Sequence, residues 1–338
     1  FQSMGYVLDV YREKVPAERN VGKLALFVSF FPQIIQGPIG VYDQLAHQLY
    51  DEHKYNFDNI RFGAQLILWG FFKKLVIADR AVGMIHTVAG AYTDYAGTYV
   101  LLAALVYALQ LYADFSGGID ISRGVAQMFG ITMGENFRRP YFSRTLTEYW
   151  HRWHISLSTW LRDYVYIPLG GNRCSRSRMY FNQFATMVIG GLWHGASWMY
   201  VIWGAIHGGM LVVHKMIRSA FPVEMSQPVV TESGEMVMVK TRGGFVSQWM
   251  KGFNMVFTFL LVAVTFMFFR APSLEDVGMM WHQIIFDFHL SVAPQFVEGY
   301  LTIVLLMMAG YVIHISPSRI TSQPRRLFEL SLIHISEP

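Results

Sequence analysis

The sequence is poor in charged residues and almost without cysteine. Only 15% of its 338 residues are Asp, Glu, Lys or Arg, against about 25% in an ordinary soluble domain. The single cysteine, Cys174, excludes an intramolecular disulfide framework and a cysteine-rich metal site. The sequence also lacks a Ser-His-Asp signature, a recognisable glycine-rich phosphate loop and a nucleic-acid-binding motif. These absences argue against several common classes of soluble enzyme and against a nucleic-acid partner.

Long stretches without any charge are the main positive feature. The chain is 53% hydrophobic, and its uncharged runs cover residues 95–113, 179–214, 254–269 and 299–318. One membrane-spanning helix needs about 20 mostly apolar residues, so the second run is long enough for two spans. A soluble all-helical protein is the alternative, but its helices would be amphipathic. The pattern predicts an all-α, polytopic transmembrane helical bundle.

The organisation of the chain is that of one membrane domain over residues 1–338. The chain begins at Phe1, inside a stretch typical of the end of a hydrophobic helix, so we expect a fragment that lacks terminal helices. Residues 221–244 have the most soluble composition, and we expect an exposed loop or hairpin there. The net charge is +4, but the basic clusters are too evenly spread to predict the membrane orientation.

The segment SFFPQIIQGPIGVY, residues 29–42, is apolar but contains helix-breaking residues. Irregular backbone at membrane depth is tolerated only where protein or a water-filled cavity satisfies its polar groups. We therefore predict a re-entrant segment that places Gln33 and Gln36 near a hydrated cavity. A capped interfacial loop is the alternative.

The segment EYWHRWHISLSTWLRDYVYIPLGGNR combines aromatic and ionisable residues. If residues 147–166 form one helix, a single stripe contains Trp150, Trp153, Leu157, Trp160, Leu161 and Tyr164. His154 lies at the edge of this stripe, whereas His151 lies towards the polar side. We expect His154 to face the protein interior and His151 to be more hydrated.

Further histidines lie in the longest uncharged run. His194 has Gly190, Gly191 and Gly195 around it, and His207 has a similar setting. Ionisable residues within spans are expensive and suggest function. Neutral imidazole serves as an acid–base catalyst near physiological pH. A histidine-bound metal is the alternative, because His151 and His154 have an i, i+3 spacing, although other close ligands are few.

Several blocks together resemble the membrane-bound O-acyltransferase superfamily, and within it the bacterial alginate O-acetyltransferase-like branch. In order they are SFFPQIIQGPI, WGFFKKLVIADR, ADFSGGIDISRGVAQMFGI, ENFRRPYFSRTLTEYWHRWHISLSTWLRDYVYIPLGGNR, GLWHGASWMYVIWGAIHG and FMFFRAPSLEDV. One departure is FSGGID, in which Gly118 replaces the Tyr that this branch often has. We expect altered local packing there without loss of activity.

The resemblance implies a bundle of spans with re-entrant and amphipathic helices around a central funnel or tunnel. It implies two functional histidines, which by motif are His194 in LWHG and His154 in RWHIS. His194 would take the proton of the acceptor hydroxyl, and His154 would position substrate or stabilise developing charge. Asp163, Arg162 and Asn136 are candidate supporting groups.

The same resemblance implies an acyl donor, a cell-membrane location and no bound metal or cofactor. The donor would be an acyl thioester, either acetyl-CoA or an acyl carrier, and the acceptor would be a hydroxyl of an exported polysaccharide. A periplasmic acyltransferase partner is implied as well. The alternatives are D-alanyl transfer to teichoic acid from a carrier protein, a transporter or channel with a histidine proton relay, and a histidine-ligated metal oxidase.

Overall fold

The computed structural model describes residues 1–220, 228–230, 236–238 and 245–315, and the chain is helical over most of them. The helices of the first half are α1 (Gln2–Tyr11), α2 (Val21–Ser29), α3 (Phe31–Ile35), α4 (Tyr42–Tyr50), α5 (Phe57–Phe71), α6 (Asp79–Gly90), α7 (Gly97–Met128), α8 (Leu146–Arg152) and α9 (Ile155–Leu161). Those of the second half are α10 (Arg176–Trp193), α11 (Trp198–Ala220), α12 (Phe245–Arg270), α13 (Leu274–Phe286), α14 (Ala293–Gly299) and α15 (Leu301–Ile315).

Short segments of other structure connect these helices. Phe72–Ala78 and Arg162–Tyr166 are π-helical, and Tyr92–Asp94, Pro140–Phe142 and Leu290–Val292 are single 3₁₀ turns. Two strands, β1 (Pro228–Val230) and β2 (Met236–Met238), pair antiparallel with Val229 opposite Val237. They lie within the predicted loop or hairpin at 221–244, whose other residues lie outside the described part of the chain.

Three of the described helices are long and apolar enough to cross a bilayer. They are α7, α11 and the Met250–Arg270 part of α12. A fourth span results if Leu290–Gly299 and Leu301–Val312, which meet at 92°, are counted together. Each uncharged run of the sequence thus lies mainly in helices of the structure. The prediction of a helical protein with several membrane spans is confirmed. The run at 179–214 forms parts of two helices, α10 and α11, and of these two only α11 is long and apolar enough to span the membrane.

The two helices α10 and α11 form a closely packed antiparallel pair. A Cβ atom added at Gly191 would lie 2.2 Å from the carbonyl oxygen of Tyr200, and one added at Gly204 would lie 2.4 Å from that of Met187. Small residues allow this close approach of backbones, as is common between membrane helices. The pairing places the start of α11 beside the end of α10, where His194 lies.

The largest aromatic core lies where α7, α8, α11 and α12 meet. Buried members include Tyr141, Tyr149, Trp153, Trp203 and Phe266. The rings of Tyr141 and Phe266 are tilted against Trp153 and that of Tyr149 stacks on it, which adds to the stabilisation from burial. The core includes Trp153, which precedes His154, and Trp203, whose ring contacts His194.

Two half-buried carboxylates in the middle of α7 are neutralised by the neighbouring π-helix. Lys73 Nζ lies 2.7 Å from Asp120 Oδ2 and also donates to Ser116 Oγ. Lys74 Nζ lies 2.5 Å from Asp114 Oδ1. Charges inside a span are tolerated when they are paired within the protein, so these contacts explain how α7 accommodates both aspartates.

The segment 29–42 contains the short helix α3, which is followed by irregular backbone up to α4. Gln33 is buried and contacts Gln2, while the backbone N–H of Ile39 donates to Ser156 Oγ at 3.1 Å. Gln36 reaches α7, where a Cβ atom at Gly118 would lie only 1.9 Å from Gln36 Oε1. The segment is thus held by protein side chains, and its insertion into the bilayer stays a prediction.

Candidate active site

The segment that carries His154 is not the single continuous helix that the sequence predicts. α8 ends at Arg152, and the backbone turns before α9 begins at Ile155. His154 has φ 45° and ψ 56°, in the left-handed region that few residues other than glycine adopt. The helical-wheel assumption was therefore wrong across this break. The expected burial is nevertheless confirmed, because His154 is 6% exposed while His151 is exposed to solvent.

Asn136 holds the turn around His154 with both its backbone and its side chain. Its carbonyl oxygen accepts from Ile155 N at 3.0 Å, and its Oδ1 accepts from Ser156 N at 2.8 Å. These two N–H groups start α9 and have no partner within that helix. Asn136 thus replaces the missing N-cap side chain and stabilises the strained conformation of His154.

The same asparagine fixes the orientation of the His154 ring. Both amide atoms of Asn136 lie near His154 Nδ1, with Nδ2 at 3.2 Å and Oδ1, which already accepts from Ser156 N, at 3.4 Å. The nearer atom is Nδ2, which only donates, so this contact favours an unprotonated Nδ1 and a ring proton on Nε2. His154 lies outside the candidate spans. Burial, with a smaller repulsion from His194, lowers its pKa to about 3, which keeps the ring neutral.

His194 lies in the turn between α10 and α11 with the opposite tautomer. Its Nδ1 lies 2.7 Å from the carbonyl oxygen of Gly190, which can only accept. The proton is therefore on Nδ1, and Nε2 keeps its lone pair. His194 is outside the candidate spans, and burial lowers its pKa below the usual 6.5 even though the Gly190 carbonyl opposes the shift. This arrangement gives a neutral base at neutral pH.

Aromatic rings surround His194 on several sides. The ring centroid of His194 lies 4.8 Å from Trp193, 5.2 Å from Trp203 and 5.0 Å from Phe269. Trp193 also contacts His154, with 6.1 Å between centroids. The two histidines therefore flank one indole ring. We call Trp203 and Phe269 the aromatic walls of His194.

A cavity of about 360 Å³ runs along α10 and α11 and has His194 in its wall. Its other lining residues include Trp150, His151, Arg162, Tyr166, Asn172, Thr186, Gly190, Trp203, Leu211 and Lys215. His154 is not among the lining residues, although Ile155 beside it is. Lys215 is twelve residues after Trp203 on α11, so the cavity extends roughly 18 Å along that helix.

The end of the cavity near Lys215 is positively charged. Lys215 Nζ donates to the neutral Asn172 Oδ1 at 3.2 Å, and no carboxylate of the described residues pairs with it. Arg162 lines the same cavity and is paired with Asp163 at 2.6 Å. Lys215 was not predicted as a site residue, because its one signal in the sequence is its position at the end of an uncharged run.

The five predicted site residues are only partly brought together. His154 and Asn136 are in direct contact, and His194 and Arg162 line the cavity. Asp163 binds Arg162 and does not line the cavity. Sequence reasoning missed the aromatic walls, since their spacing from His194 along the chain carries no recognisable pattern.

The metal alternative finds little support in this geometry. His151 is exposed and lines the cavity, whereas His154 is buried on the other side of the backbone break. No group of three or more His, Cys, Asp or Glu side chains is placed to hold a metal ion within residues 1–220 and the other described ranges. His207, the other glycine-flanked histidine, bonds to Thr265 on α12.

Comparison with known proteins gives one family match. The sequence pattern of the membrane-bound O-acyltransferase family matches residues 20–232. The chain is 40% identical over 288 residues to a probable alginate O-acetylase of Azotobacter vinelandii, covering 85% of this chain and 52% of that protein. It is 37% identical over 254 residues to a peptidoglycan O-acetyltransferase of Helicobacter pylori, covering 75% and 44%.

A more distant relative transfers a different group. The chain is 30% identical over 227 residues to a teichoic acid D-alanyltransferase of Streptococcus thermophilus, covering 63% of this chain and 54% of that protein. The chain spans about half the length of the curated relatives that it matches.

Proposed function

The chain belongs to the membrane-bound O-acyltransferase family, and we propose that its site transfers an acyl group from a thioester donor to a hydroxyl acceptor. The observation that carries this proposal is His194: a half-buried imidazole in a cavity wall, with Nδ1–H bound to Gly190 and Nε2 left as a base. Such a group has the protonation state and the access to a substrate that general-base catalysis requires.

The proposed reaction uses the two histidine tautomers in complementary roles. His194 Nε2 takes the proton of the acceptor hydroxyl while the oxygen attacks the thioester carbonyl. The resulting oxyanion is stabilised by the Nε2–H of His154, whose direction is set by Asn136. Collapse of the tetrahedral species breaks the carbon–sulfur bond, and the departing thiolate takes the proton from His194. The product is an ester plus a free thiol, so no redox partner is needed.

Access to the site differs between the two histidines. His194 lines the cavity directly, whereas His154 does not. The Trp193 ring contacts both histidines. We propose that Trp193 shifts when substrate binds and gives the oxyanion access to His154. Catalytic hydrogen bonds are often long or incomplete before substrate binds, so an indirect arrangement is compatible with this role.

The cavity suggests where the donor lies. We propose that a thioester enters at the Lys215 end and reaches His194 with its acyl group. Phosphate groups accompany the thiol in both acetyl-CoA and an acyl carrier, and the Lys215 amine would bind such an anion. Acetyl transfer to a polysaccharide is the best-supported reaction, because the relatives with O-acetyl-transfer names match the chain at higher identity and coverage than the D-alanyltransferase.

The proposal is tested by two variants of cavity-lining histidines in the complete protein. We expect His194→Ala to lower the rate of acyl transfer by about 10²–10⁴-fold, the usual contribution of a general base. His151→Ala is the matched control, because His151 lines the same cavity and should leave more than half of the activity. Acyl transfer at the normal rate by folded His194→Ala protein would refute the proposal.

Donor choice distinguishes the remaining reactions. Membranes that contain the protein are supplied with acetyl-CoA or with a D-alanyl carrier protein, and release of free thiol is measured. Acetyl-CoA consumption that depends on His194 supports O-acetyl transfer, whereas consumption of only the carrier thioester supports D-alanyl transfer. A transporter with a histidine proton relay would consume neither.

A further inference from the structure

We infer that His207 is a positioning residue of the proposed reaction. Its hydrogen bond to Thr265 fixes the register of α11 against α12. The consequence is a fixed placement of the aromatic walls, Trp203 and Phe269, around His194. This inference rests on the proposed function of His194. It assigns a role to His207 and Thr265, which neither line the cavity nor contact the proposed substrates.

The hydrogen bond joins two helices in the interior. His207 on α11 is 0% exposed, and its Nε2 lies 2.9 Å from Thr265 Oγ1 on α12. Thr265 Oγ1 also donates its single proton to the carbonyl oxygen of Val262 at 2.7 Å. The hydroxyl must therefore accept from His207 Nε2–H, which leaves Nδ1 unprotonated. Both the direction of the bond and the tautomer follow from this arrangement.

The aromatic walls lie one helical turn from this bond on each helix. Trp203 precedes His207 by four residues, and Phe269 follows Thr265 by four, so each lies on the same helix face as its bonding neighbour. The two rings contact each other at 5.1 Å and both contact His194. A shift of α11 along α12 would separate them and open the space around His194.

Packing ties His207 directly to one wall. The His207 ring lies 4.7 Å from Trp203 and 5.3 Å from Trp150, and both indole rings line the cavity. The imidazole therefore supports the cavity wall from the side that faces away from the cavity. Its position is fixed by contacts with α8, α11 and α12 at once.

A role in stability alone does not explain the polar pair. His207 Nδ1 is buried and has no hydrogen-bond partner among the described residues. An unpaired buried acceptor is destabilising, and two apolar side chains of similar shape would avoid it. Buried polar pairs are known to fix the register of packed helices at a cost in stability, and this pair has that form.

The test uses three substitutions on α12. Thr265→Val keeps the shape and removes the bond, whereas Thr265→Ser keeps the hydroxyl. Thr258→Val is the matched control, because Thr258 is a second buried threonine on α12. We expect Thr265→Val to lower kcat by about 10- to 100-fold, since displacements near 1 Å have effects of this size, with little change in the KM for the thioester. Thr265→Ser and Thr258→Val should remain near the normal kcat.

The pH dependence of kcat/KM separates positioning from a loss of folded protein. The groups that face His194 are Trp193, Tyr200 and Trp203, with Phe269 from α12. The titratable and charged groups nearby are Arg270, which follows Phe269 and bonds to His86, and the cavity-lining residues His151, Arg162 and Lys215. His154 is separated from His194 by the Trp193 ring, which it contacts. Opening the walls hydrates His194, so the acid limb of the Thr265→Val profile should move to higher pH.

The possible outcomes differ clearly. A lower kcat with a shifted acid limb in Thr265→Val, restored in Thr265→Ser, supports the inference. A uniform loss at every pH with an unshifted limb overturns it, because fewer folded molecules would explain that result. A normal kcat in Thr265→Val also overturns it while His194→Ala remains inactive. Activity in both Thr265→Val and His194→Ala would instead refute the proposed function.

Discussion

His154 combines a left-handed backbone conformation, burial and a fixed ring orientation at one position. Backbone strain of this kind persists only when surrounding contacts enforce it, and it occurs often at functional sites. Asn136 provides the enforcing contacts through its carbonyl oxygen and its side chain. The supporting role predicted for Asn136 thus has a physical basis, and its contribution to activity stays a prediction.

Replacing Asn136 with aspartate should reverse the tautomer of His154. A carboxylate has no N–H, so it would accept from Nδ1–H and leave His154 Nε2 without a proton to donate. One carboxylate oxygen can still accept from Ser156 N, so the turn should fold. We expect the rate of acyl transfer to fall by about 10²-fold or more.

Asn59→Asp is the control for this substitution. Asn59 uses its Oδ1 to accept from Gln127 far from the site, and a carboxylate keeps that bond. Both variants are compared for transfer rate per folded molecule, with folding followed by thermal denaturation in detergent. A normal rate for Asn136→Asp would show that the His154 tautomer does not matter.

Lys215 provides a second prediction for a single residue. If its amine binds the phosphate of the donor, Lys215→Met should raise the KM for acetyl-CoA and leave kcat nearly unchanged, because the contact is made in both ground and transition states. A rise of about 10-fold in KM corresponds to the loss of one charge-assisted hydrogen bond. Lys251→Met, at an exposed lysine of α12, is the control. An unchanged KM would place the donor elsewhere.

Among the elements, α7 most clearly shows what the sequence predicts and what it does not. Its apolar first half predicts a span, and residues 97–128 form one long helix. Asp114 and Asp120 look incompatible with a span until Lys73 and Lys74 are located beside them. Those partners lie more than 39 residues away along the chain, a separation that helical periodicity does not address.

The segments 29–42 and 147–166 show a related limit. Of the six stripe residues that periodicity predicts, four are buried, while Trp150 and Tyr164 are half-buried. The prediction also assumed one helix axis through the break at His154. At Gly118, the absent side chain is explained by Gln36, which occupies the space that a Cβ atom would need. Neither feature follows from local sequence, because both depend on contacts between distant segments.

The ion pair between α7 and the π-helix predicts a measurable stability effect. Removing Lys73 leaves the mostly buried Asp120 with the longer ion pair to Arg123, at 3.4 Å, so the cost is that of one charge-assisted hydrogen bond, about 1.5–3 kcal/mol. Lys73→Met should therefore lower the thermal denaturation midpoint in detergent. Combining Lys73→Met with Asp120→Asn should recover part of the loss, since the carboxylate that Lys73 neutralised is then uncharged.

The exposed Lys54 supplies the control for this element. Lys54→Met should leave the midpoint unchanged. If Lys73→Met has the same midpoint as the unmodified protein, the pair is too well hydrated to stabilise α7. If the double variant is no better than Lys73→Met alone, the effect comes from packing of the lysine chain.

The two ends of the helix bundle differ in charge, one being mainly basic and the other mainly acidic. The start of α10 and the end of α11 lie together, because Lys215 bonds to Asn172 just before α10. This end contains Arg173, Arg176, Arg178, Lys215 and Arg218. The opposite end contains Asp94, Glu275, Asp276 and Asp287 together with the basic Arg270. Bonds from Gly97 N to Asp287 O and from Tyr92 to Asp276 connect the acidic segments there.

The charge difference predicts the membrane orientation that the sequence alone left open. Lysine and arginine are enriched at cytoplasmic ends of spans, so the Lys215 end of the cavity should face the cytoplasm. In a Cys174→Ser background, Ser177→Cys should react with an impermeant maleimide only in inside-out vesicles. Thr93→Cys, at the acidic end, should react only in intact spheroplasts. The reverse pattern would contradict this orientation and the donor entrance at Lys215.

If His194 Nε2 removes the proton of the acceptor hydroxyl, an added base should restore the activity that His194→Ala loses. The complete protein with His194→Ala is assayed for acyl transfer with added imidazole and with methylated imidazoles of different basicity. Removal of the side chain enlarges a cavity of about 360 Å³ that already reaches this position. We expect transfer to recover with saturation in the added base and to increase with its basicity. Absence of rescue by any of these bases, in folded protein that still binds the thioester, would contradict the assignment of His194 as the general base.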